Sequence, residues 1–177
     1  MEKKTVRDIN VKGKKVLVRV DYNVPMNDKG EITDTIRIDA TLPTLNYLLD
    51  QGAAIILMAH LGRPKGKVVP SMSLKPCAEY LSQVMKKEVK FAPDCIGPEA
   101  TEAARELQPG EILMLENLRF HPEEEKNDMA FAASLASLAD IYVNNGFGVS
   151  HRAHASVEGV AHYLPAVSGF LLEKEIK

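Results

Sequence analysis

Four nearly continuous apolar runs recur along the chain, and each one ends in polar or cationic residues. The runs occupy residues 15–20, 53–59, 111–115 and 140–143. None of them alternates apolar with polar positions, which indicates strands that are buried on both faces, as in a parallel sheet covered by helices. The sequence therefore predicts a buried parallel sheet whose strands open into polar loops.

Segments with helical periodicity separate these runs. Leucines at 42, 45, 48 and 49 form one face of a helix predicted over 37–51, and Pro43 makes its first turn irregular. Further helices are predicted over 74–85, 98–107, 122–138 and 155–160, the third of them with an interruption near Asn127 and Asp128, and a short strand is predicted at 89–91. This alternation predicts an α/β fold, a three-layer α/β/α Rossmann-like domain with a mainly parallel sheet, over residues 1–170.

The last residues of the chain are strongly helical. Residues 170–177 contain no capping glycine or asparagine and no other helix stop. We therefore expect the natural protein to continue beyond Lys177.

Polar side chains follow the strands where ligands bind in open parallel sheets, beyond the carboxyl ends. Three of the seven arginines follow predicted strands directly, and a fourth follows the turn after the first strand. We expect these groups to meet around one small anion, because a guanidinium binds phosphate and carboxylate oxygens in a bidentate manner. The alternative is a set of independent salt bridges. The residues concerned are Asp21, Asn23, Arg37, His60, Arg63, Arg119 and Arg152.

Composition narrows the class of ligand. Of the 177 residues, 45% are apolar, which is normal for a globular domain. The net charge of −2 argues against a nucleic-acid binder.

The two cysteines, Cys77 and Cys95, have no metal or redox spacing. Reduced thiols are expected, although a disulfide between them stays open. The first residues lack an apolar core and no run reaches the length of a membrane span, so we expect no signal peptide, no membrane span and a cytoplasmic location.

Several motif matches fail on spacing. The 62–67 stretch has three residues between its glycines instead of the four of a P-loop, and Val68 replaces the magnesium-binding hydroxyl. Gly146 and Gly148 lack the third glycine of a dinucleotide loop. His151 and His154 are spaced like metal ligands without a third ligand nearby, so no metal site is predicted.

Two other charged groups are expected to have no part in binding. Arg19 is expected to be structural, and residues 123–125 are expected to form a solvated helix start.

Five segments together resemble the phosphoglycerate kinase family, specifically its N-terminal domain. They are residues 19–26, 37–38, 60–66, 115–120 and 151–156, and they follow one another in the family's order across the chain. The resemblance implies a half that binds 3-phosphoglycerate or 1,3-bisphosphoglycerate, with residues 171–177 starting the helix to a C-terminal nucleotide-binding domain. The activity implied is reversible phosphoryl transfer between 1,3-bisphosphoglycerate and Mg-ADP in glycolysis.

The resemblance also implies roles for individual residues. Asp21 and Asn23 would hold the hydroxyl and carboxylate region of the glycerate, and Arg37 would reach the carboxyl end where phosphoryl transfer occurs, as the catalytic residue. The basic patch on the non-transferred phosphate and carboxylate would consist of His60, Arg63, Arg119 and Arg152.

By the same resemblance, Mg-ATP or Mg-ADP would be bound mainly by the C-terminal domain, so these 177 residues would carry no cofactor and be inactive alone. We expect a monomer that binds neither nucleic acid nor membranes. The chain departs from the family at Asn145 and Gly146, where an acid and an alanine are usual.

Two other functions are compatible with parts of this sequence pattern. A stand-alone module for phosphorylated metabolites would fit the arginine set, but the uncapped terminal helix argues against it. A nicotinamide-dependent oxidoreductase is disfavoured by the missing glycine and the missing acid.

Overall fold

A single parallel sheet forms the centre of the molecule. The computed structural model describes residues 5–146 and 154–170. Its strands are β1 (Lys15–Val20), β2 (Ala54–Met58), β3 (Val89–Phe91), β4 (Ile112–Met114), β5 (Ile141–Asn145) and β6 (Ala166–Ser168). They lie in the order β3-β4-β2-β1-β5-β6, and every neighbouring pair is parallel. The carboxyl ends of all these strands therefore open at the same edge.

Helices cover both faces of the sheet. They are α1 (Ile36–Asp39), α2 (Leu42–Asp50), α3 (Lys75–Met85), α4 (Pro98–Glu106) and α5 (Met129–Ala136). Short 3-10 turns occur at Val6–Asp8, Pro70–Met72, Leu118–Phe120 and Val160–His162, and a π-helical turn occurs at Ala155–Gly159.

Two apolar clusters give the domain its layers. One face of β1, with Val16 and Val18, packs with Leu48 of α2 and Leu81 of α3. On the other face, Leu17 belongs to the cluster that contains the apolar side chains of α4 and α5. Because successive side chains of a strand point to opposite faces, a fully apolar strand fills both clusters. This confirms the predicted three-layer α/β/α fold.

The interruption expected near Asn127 and Asp128 in the helix predicted over 122–138 is confirmed, but the helical part predicted before it is wrong. Residues 122–127 form turns, and α5 begins at Met129. Asn127 has a left-handed backbone with φ of 51°, which a continuous helix does not allow. The side chain of Asp128 accepts a hydrogen bond from the Phe131 N–H at 2.8 Å and so caps the new helix start.

Two other differences from the predicted elements concern short segments. The helix predicted over 37–51 is divided into α1 and α2, as the irregular first turn expected from Pro43 implies. The strand β6 was not predicted. Residues 171–177, where a linker helix was expected, lie outside the described residues.

The two cysteines lie in different layers of the core. Cys77 belongs to the cluster under α2 and α3, whereas Cys95 belongs to the opposite cluster, and both thiols are free. The disulfide left open by the sequence is therefore not formed. Burial raises the pKa of Cys77 to about 12, and burial also raises the pKa of Cys95 well above its ordinary value.

We expect both thiols to resist a disulfide reagent in the native protein and to react after unfolding, because thiolate is the reactive form.

The raised pKa values also predict that the protein loses stability in alkali. Above the ordinary thiol pKa of 9.0 the unfolded chain releases protons that the folded protein retains, so the free energy of unfolding falls as pH rises. Urea unfolding at several pH values above this point should show the fall, and Cys77→Ala should make it shallower. Rapid labelling of the two thiols in the native protein would contradict their burial and hence the raised pKa values.

Within the described ranges, no helix combines the length and the apolar character that crossing a membrane requires.

Candidate functional site

The end of β1 and the first turn of α1 bring three predicted site residues together. Nη1 of Arg37 donates hydrogen bonds to Asp21 Oδ1 at 3.2 Å and to the Asn23 carbonyl oxygen at 2.9 Å. The Arg37 side chain is 52% exposed, and its Nε and Nη2 groups donate to no acceptor within residues 5–146 and 154–170. Two nitrogen atoms of this guanidinium are thus able to bind an anion.

Asn23 connects this group to the loop after β2. Its Oδ1 accepts a hydrogen bond from the Gly62 N–H at 2.9 Å, and the Gly62 carbonyl oxygen lies 3.5 Å from Nη1 of Arg119. Arg119 is buried, and its Nε lies 3.8 Å from Glu125 Oε1. A series of contacts therefore joins Arg37 to Arg119 across the carboxyl ends of β1, β2 and β4.

The loop after β2 presents Arg63 at its surface. Arg63 is exposed and forms no hydrogen bond or ion pair with the described part of the chain. The loop itself is held in place, because the Gly66 N–H donates to the Arg119 carbonyl oxygen at 3.1 Å. A Cβ atom on Gly66 would approach Pro122 to 2.9 Å, so only glycine allows this close contact. Arg63 thus lies next to the Arg119 segment with its guanidinium available to a ligand.

His60, at the end of β2, is held by a buried arginine. Nη2 of Arg19 lies 2.8 Å from Nδ1 of His60, and both residues are buried. An arginine can only donate, so this contact fixes Nδ1 as the acceptor and leaves the proton of a neutral imidazole on Nε2. The neutral imidazole of His60 therefore carries its N–H group on Nε2.

Arg19, which was expected to be structural, is buried and belongs to a polar network behind the site. Its Nε donates to Ser156 Oγ at 2.9 Å, and Ser156 Oγ donates in turn to the carboxylate of Glu124. The Ser156 N–H also donates to Glu124 Oε1 at 2.8 Å. Burial lowers the pKa of Arg19, whereas the Glu124 carboxylate acts in the opposite direction.

The expected solvated role of residues 123–125 is wrong for Glu124. This carboxylate has no exposed surface, because the π-helical turn at Ala155–Gly159 covers it. One of the three acids at residues 123–125, Glu124, is therefore a buried structural residue and not part of a solvated surface.

Two buried residues that sequence reasoning left without a role hold the loops of the site. Nδ2 of Asn117 donates to the carbonyl oxygens of Leu61 at 2.8 Å and Met72 at 3.0 Å, and Asn117 Oδ1 caps the turn that carries Arg119. Glu116 accepts hydrogen bonds from Leu74 N–H at 2.9 Å and from the neighbouring Ser73 hydroxyl at 2.7 Å. Both residues come directly after the apolar run of β4, and this position was the sequence feature that could have indicated their role.

A cleft of about 500 Å³ opens beside Arg37. Its lining residues are Asn23, Val24, Pro25, Asp34, Ile36 and Arg37. This volume suits a small-molecule ligand. Arg63 and Arg119 are not among the lining residues, so the cleft covers the Arg37 end of the predicted site.

Three of the residues singled out in the sequence lie outside the described ranges. They are Gly148, His151 and Arg152. Of the seven predicted site residues, the structure therefore places six, and the expected position of Arg152 stays a prediction.

The amide at Asn145 lies in the core and not in the cleft. Its Oδ1 accepts a hydrogen bond from Thr44 Oγ1 at 3.3 Å, and Thr44 Oγ1 also accepts from the Phe170 N–H at 3.1 Å. Asn145 thus helps to join β5 to α2 and to the segment after β6.

Fold and site together define a parallel three-layer α/β domain with arginine, histidine and amide groups at the carboxyl edge of its sheet, a class suited to small anionic ligands. The family model for phosphoglycerate kinase matches residues 6–177. The chain belongs to the phosphoglycerate kinase family.

Relatives and solved structures agree with this assignment. The chain is 60% identical to the phosphoglycerate kinase of Moorella thermoacetica over 177 residues, and 58% identical to that of Desulforudis audaxviator over 176 residues. It spans all or nearly all of its own length in these matches but only 45% of each relative. The structure of phosphoglycerate kinase from Coxiella burnetii matches with a TM-score of 0.89 and 36% identity, covering 99% of this chain and 43% of that one.

Proposed function

We propose that this chain forms the substrate-binding half of a phosphoglycerate kinase and binds 3-phosphoglycerate or 1,3-bisphosphoglycerate. The observation that carries the proposal is the series of contacts from Arg37 through Asn23 and Gly62 to Arg119. These contacts support the proposal, because they bring the guanidinium groups of Arg37 and Arg119 and the loop that carries Arg63 to the edge of the sheet where ligands of parallel sheets bind.

The roles that we propose within this site are those that the family implies, and the hydrogen-bond chemistry of the residues supports them. Asp21 and Asn23 accept or donate hydrogen bonds to the hydroxyl and carboxylate region of the glycerate. Arg37, which has two unused nitrogen atoms, stabilises charge on the phosphoryl group in transfer.

The remaining cationic groups bind the end of the substrate that does not react. His60 donates through Nε2, and Arg63, Arg119 and Arg152 bind the non-transferred phosphate and the carboxylate. Bidentate guanidinium groups fit these oxygens better than ammonium groups do.

The complete reaction needs protein outside these 177 residues. The chain spans 45% of the length of its relatives, and we propose that Mg-ATP or Mg-ADP is bound mainly by the remaining part of the enzyme. The 177 residues alone should then bind substrate without catalysing transfer. A monomeric enzyme of glycolysis in the cytoplasm is the setting that we propose.

The Arg63→Ala variant tests the site directly. We expect it to weaken 3-phosphoglycerate binding about ten- to a hundredfold in calorimetric titration, because charge-assisted hydrogen bonds contribute about 1.5–3 kcal/mol. Lys67→Ala is the matched control, since Lys67 is another exposed cation of the same loop without a predicted contact to substrate.

Two outcomes of this titration would contradict the proposal. One is the absence of binding by the parent protein, and the other is equal affinity of the parent and Arg63→Ala. The parent should also bind more weakly than a complete phosphoglycerate kinase, because closure around the ligand needs the rest of the enzyme.

A further inference from the structure

Three side chains with metal-binding atoms meet at the end of the sheet that is formed by β3 and β4. They are Asp94, Cys95 and His121, whose ligand atoms all lie within 4.8 Å of one another. Nε2 of His121 lies 2.7 Å from Asp94 Oδ1. The strand order puts this cluster beyond β4 from β2 and β1, away from Arg37, and the proposed substrate site uses none of the three residues.

The fold holds these residues in position. Asp94 and Cys95 lie in the loop after β3, and the Cys95 N–H donates to Asp94 Oδ1 at 2.7 Å. His121 follows the turn at Leu118–Phe120, and its ring packs on Phe131 with the ring centroids 5.3 Å apart. Asp94 Oδ2 accepts no hydrogen bond within residues 5–146 and 154–170, so one carboxylate oxygen is still available.

The charges around the thiol favour a bound cation. Cys95 is fully buried, and the side chains of Asp94 and Glu124 add negative charge nearby. A divalent ion would replace the thiol proton and neutralise these acidic surroundings.

We propose that Asp94, Cys95 and His121 bind one Zn²⁺ ion through a thiolate, an imidazole nitrogen and a carboxylate oxygen, with a water molecule in the fourth position. Sulfur, nitrogen and oxygen together select zinc, whereas magnesium and calcium prefer oxygen ligands alone. On binding, the Cys95 S–H bond breaks, its proton goes to solvent, and the sulfur electron pair forms the bond to zinc. An imidazolium at His121 would release a second proton in the same way.

The site has an opening and needs only a local adjustment. Solvent reaches it past the side chains of Asp94 and His121, which are 46% and 23% exposed. Ligand atoms around tetrahedral zinc stand about 3–4 Å apart, as bond lengths of about 2.0–2.3 Å require. The His121 nitrogen and the Asp94 oxygen must therefore separate slightly, and the more distant atoms must approach.

The test is a titration of the 177-residue chain, without a histidine tag, with Zn²⁺ alone. We expect one equivalent to bind, with release of protons and a rise in the thermal unfolding midpoint. Substituting Co²⁺ should produce a thiolate-to-cobalt charge-transfer band in the near ultraviolet, a signal that needs no variant. Absence of a bound equivalent, or cobalt binding without that band, would overturn the proposal.

Matched variants assign the ligands. Cys95→Ser and His121→Gln should each weaken zinc binding at least tenfold and abolish its effect on the unfolding midpoint. Cys77→Ser and His162→Gln should leave both unchanged, because Cys77 lies in the opposite layer and His162 is exposed elsewhere. If Cys95→Ser does not fold, the cobalt band of the parent protein tests the thiolate ligand, and the titration of His121→Gln tests the imidazole ligand. Undiminished binding by folded Cys95→Ser or His121→Gln would refute the assignment.

Discussion

Replacing Arg19 with methionine should lower the free energy of unfolding by about 3–5 kcal/mol, the cost typical of leaving one partner of a buried charge pair unmatched. Arg19 has no exposed surface, and it reaches the equally buried Glu124 through the Ser156 hydroxyl. Methionine fills similar space but cannot donate to Ser156 or to Nδ1 of His60. Urea unfolding of the 177-residue chain measures the loss.

A second substitution separates charge from packing. In the Arg19→Met background, Glu124→Gln removes the uncompensated carboxylate, so the double variant should be more stable than the sum of the two single losses implies. Arg105→Met is the matched control, because Arg105 is an exposed arginine whose ion pair with Glu102 contributes little. A loss below about 1 kcal/mol in Arg19→Met would show that the network is not a buried charge pair in energetic terms.

The central strands could be predicted from the sequence because burial on both faces leaves a continuous apolar run. β1 at Lys15–Val20 has the predicted bounds, and β2 at Ala54–Met58 lies within its predicted run. In contrast, β6 has three residues, of which only Val167 is buried. A segment this short has too little periodicity to be distinguished from a loop, and its pairing with β5 is a tertiary effect.

Polar partners that come from distant parts of the chain explain what the sequence did not predict. Glu124 stands in a run of three acids, a pattern typical of a solvated helix start, yet its partners Ser156 and Arg19 come from other elements. The same holds for His121, which had no special context in sequence but lies against Asp94. Spacing rules detect ligands that share a turn or a helix, and these clusters assemble only when strands pair.

The candidate anion site was more predictable, because parallel strands bring their carboxyl ends to one edge whatever their separation in sequence. The contacts among Arg37, Asn23 and Gly62 follow that rule. What the rule could not supply is the supporting role of Asn117, whose amide spans two loops.

Arg37→Ala should reduce kcat of the complete enzyme about 100- to 1,000-fold, the usual effect of removing one donor that stabilises transition-state charge. Because the chain spans 45% of the Moorella thermoacetica relative, the assay can use a fusion of this chain to the remaining part of that protein. KM for the glycerate substrate should change much less, since Arg37 acts on the group in transfer. The kcat of Arg37→Lys should lie between those of the parent and Arg37→Ala, because lysine keeps the charge without the bidentate geometry.

Stability provides the control for this prediction. The Arg37 side chain is 52% exposed and its ion pair with Asp21 is at the surface, so the free energy of unfolding should change by less than about 1 kcal/mol. A fusion carrying Arg37→Ala should therefore fold and still bind 3-phosphoglycerate. If kcat stays within about threefold of the parent fusion, where a lost transition-state donor would cost far more, Arg37 only binds substrate and another group must stabilise the transferring phosphoryl oxygens.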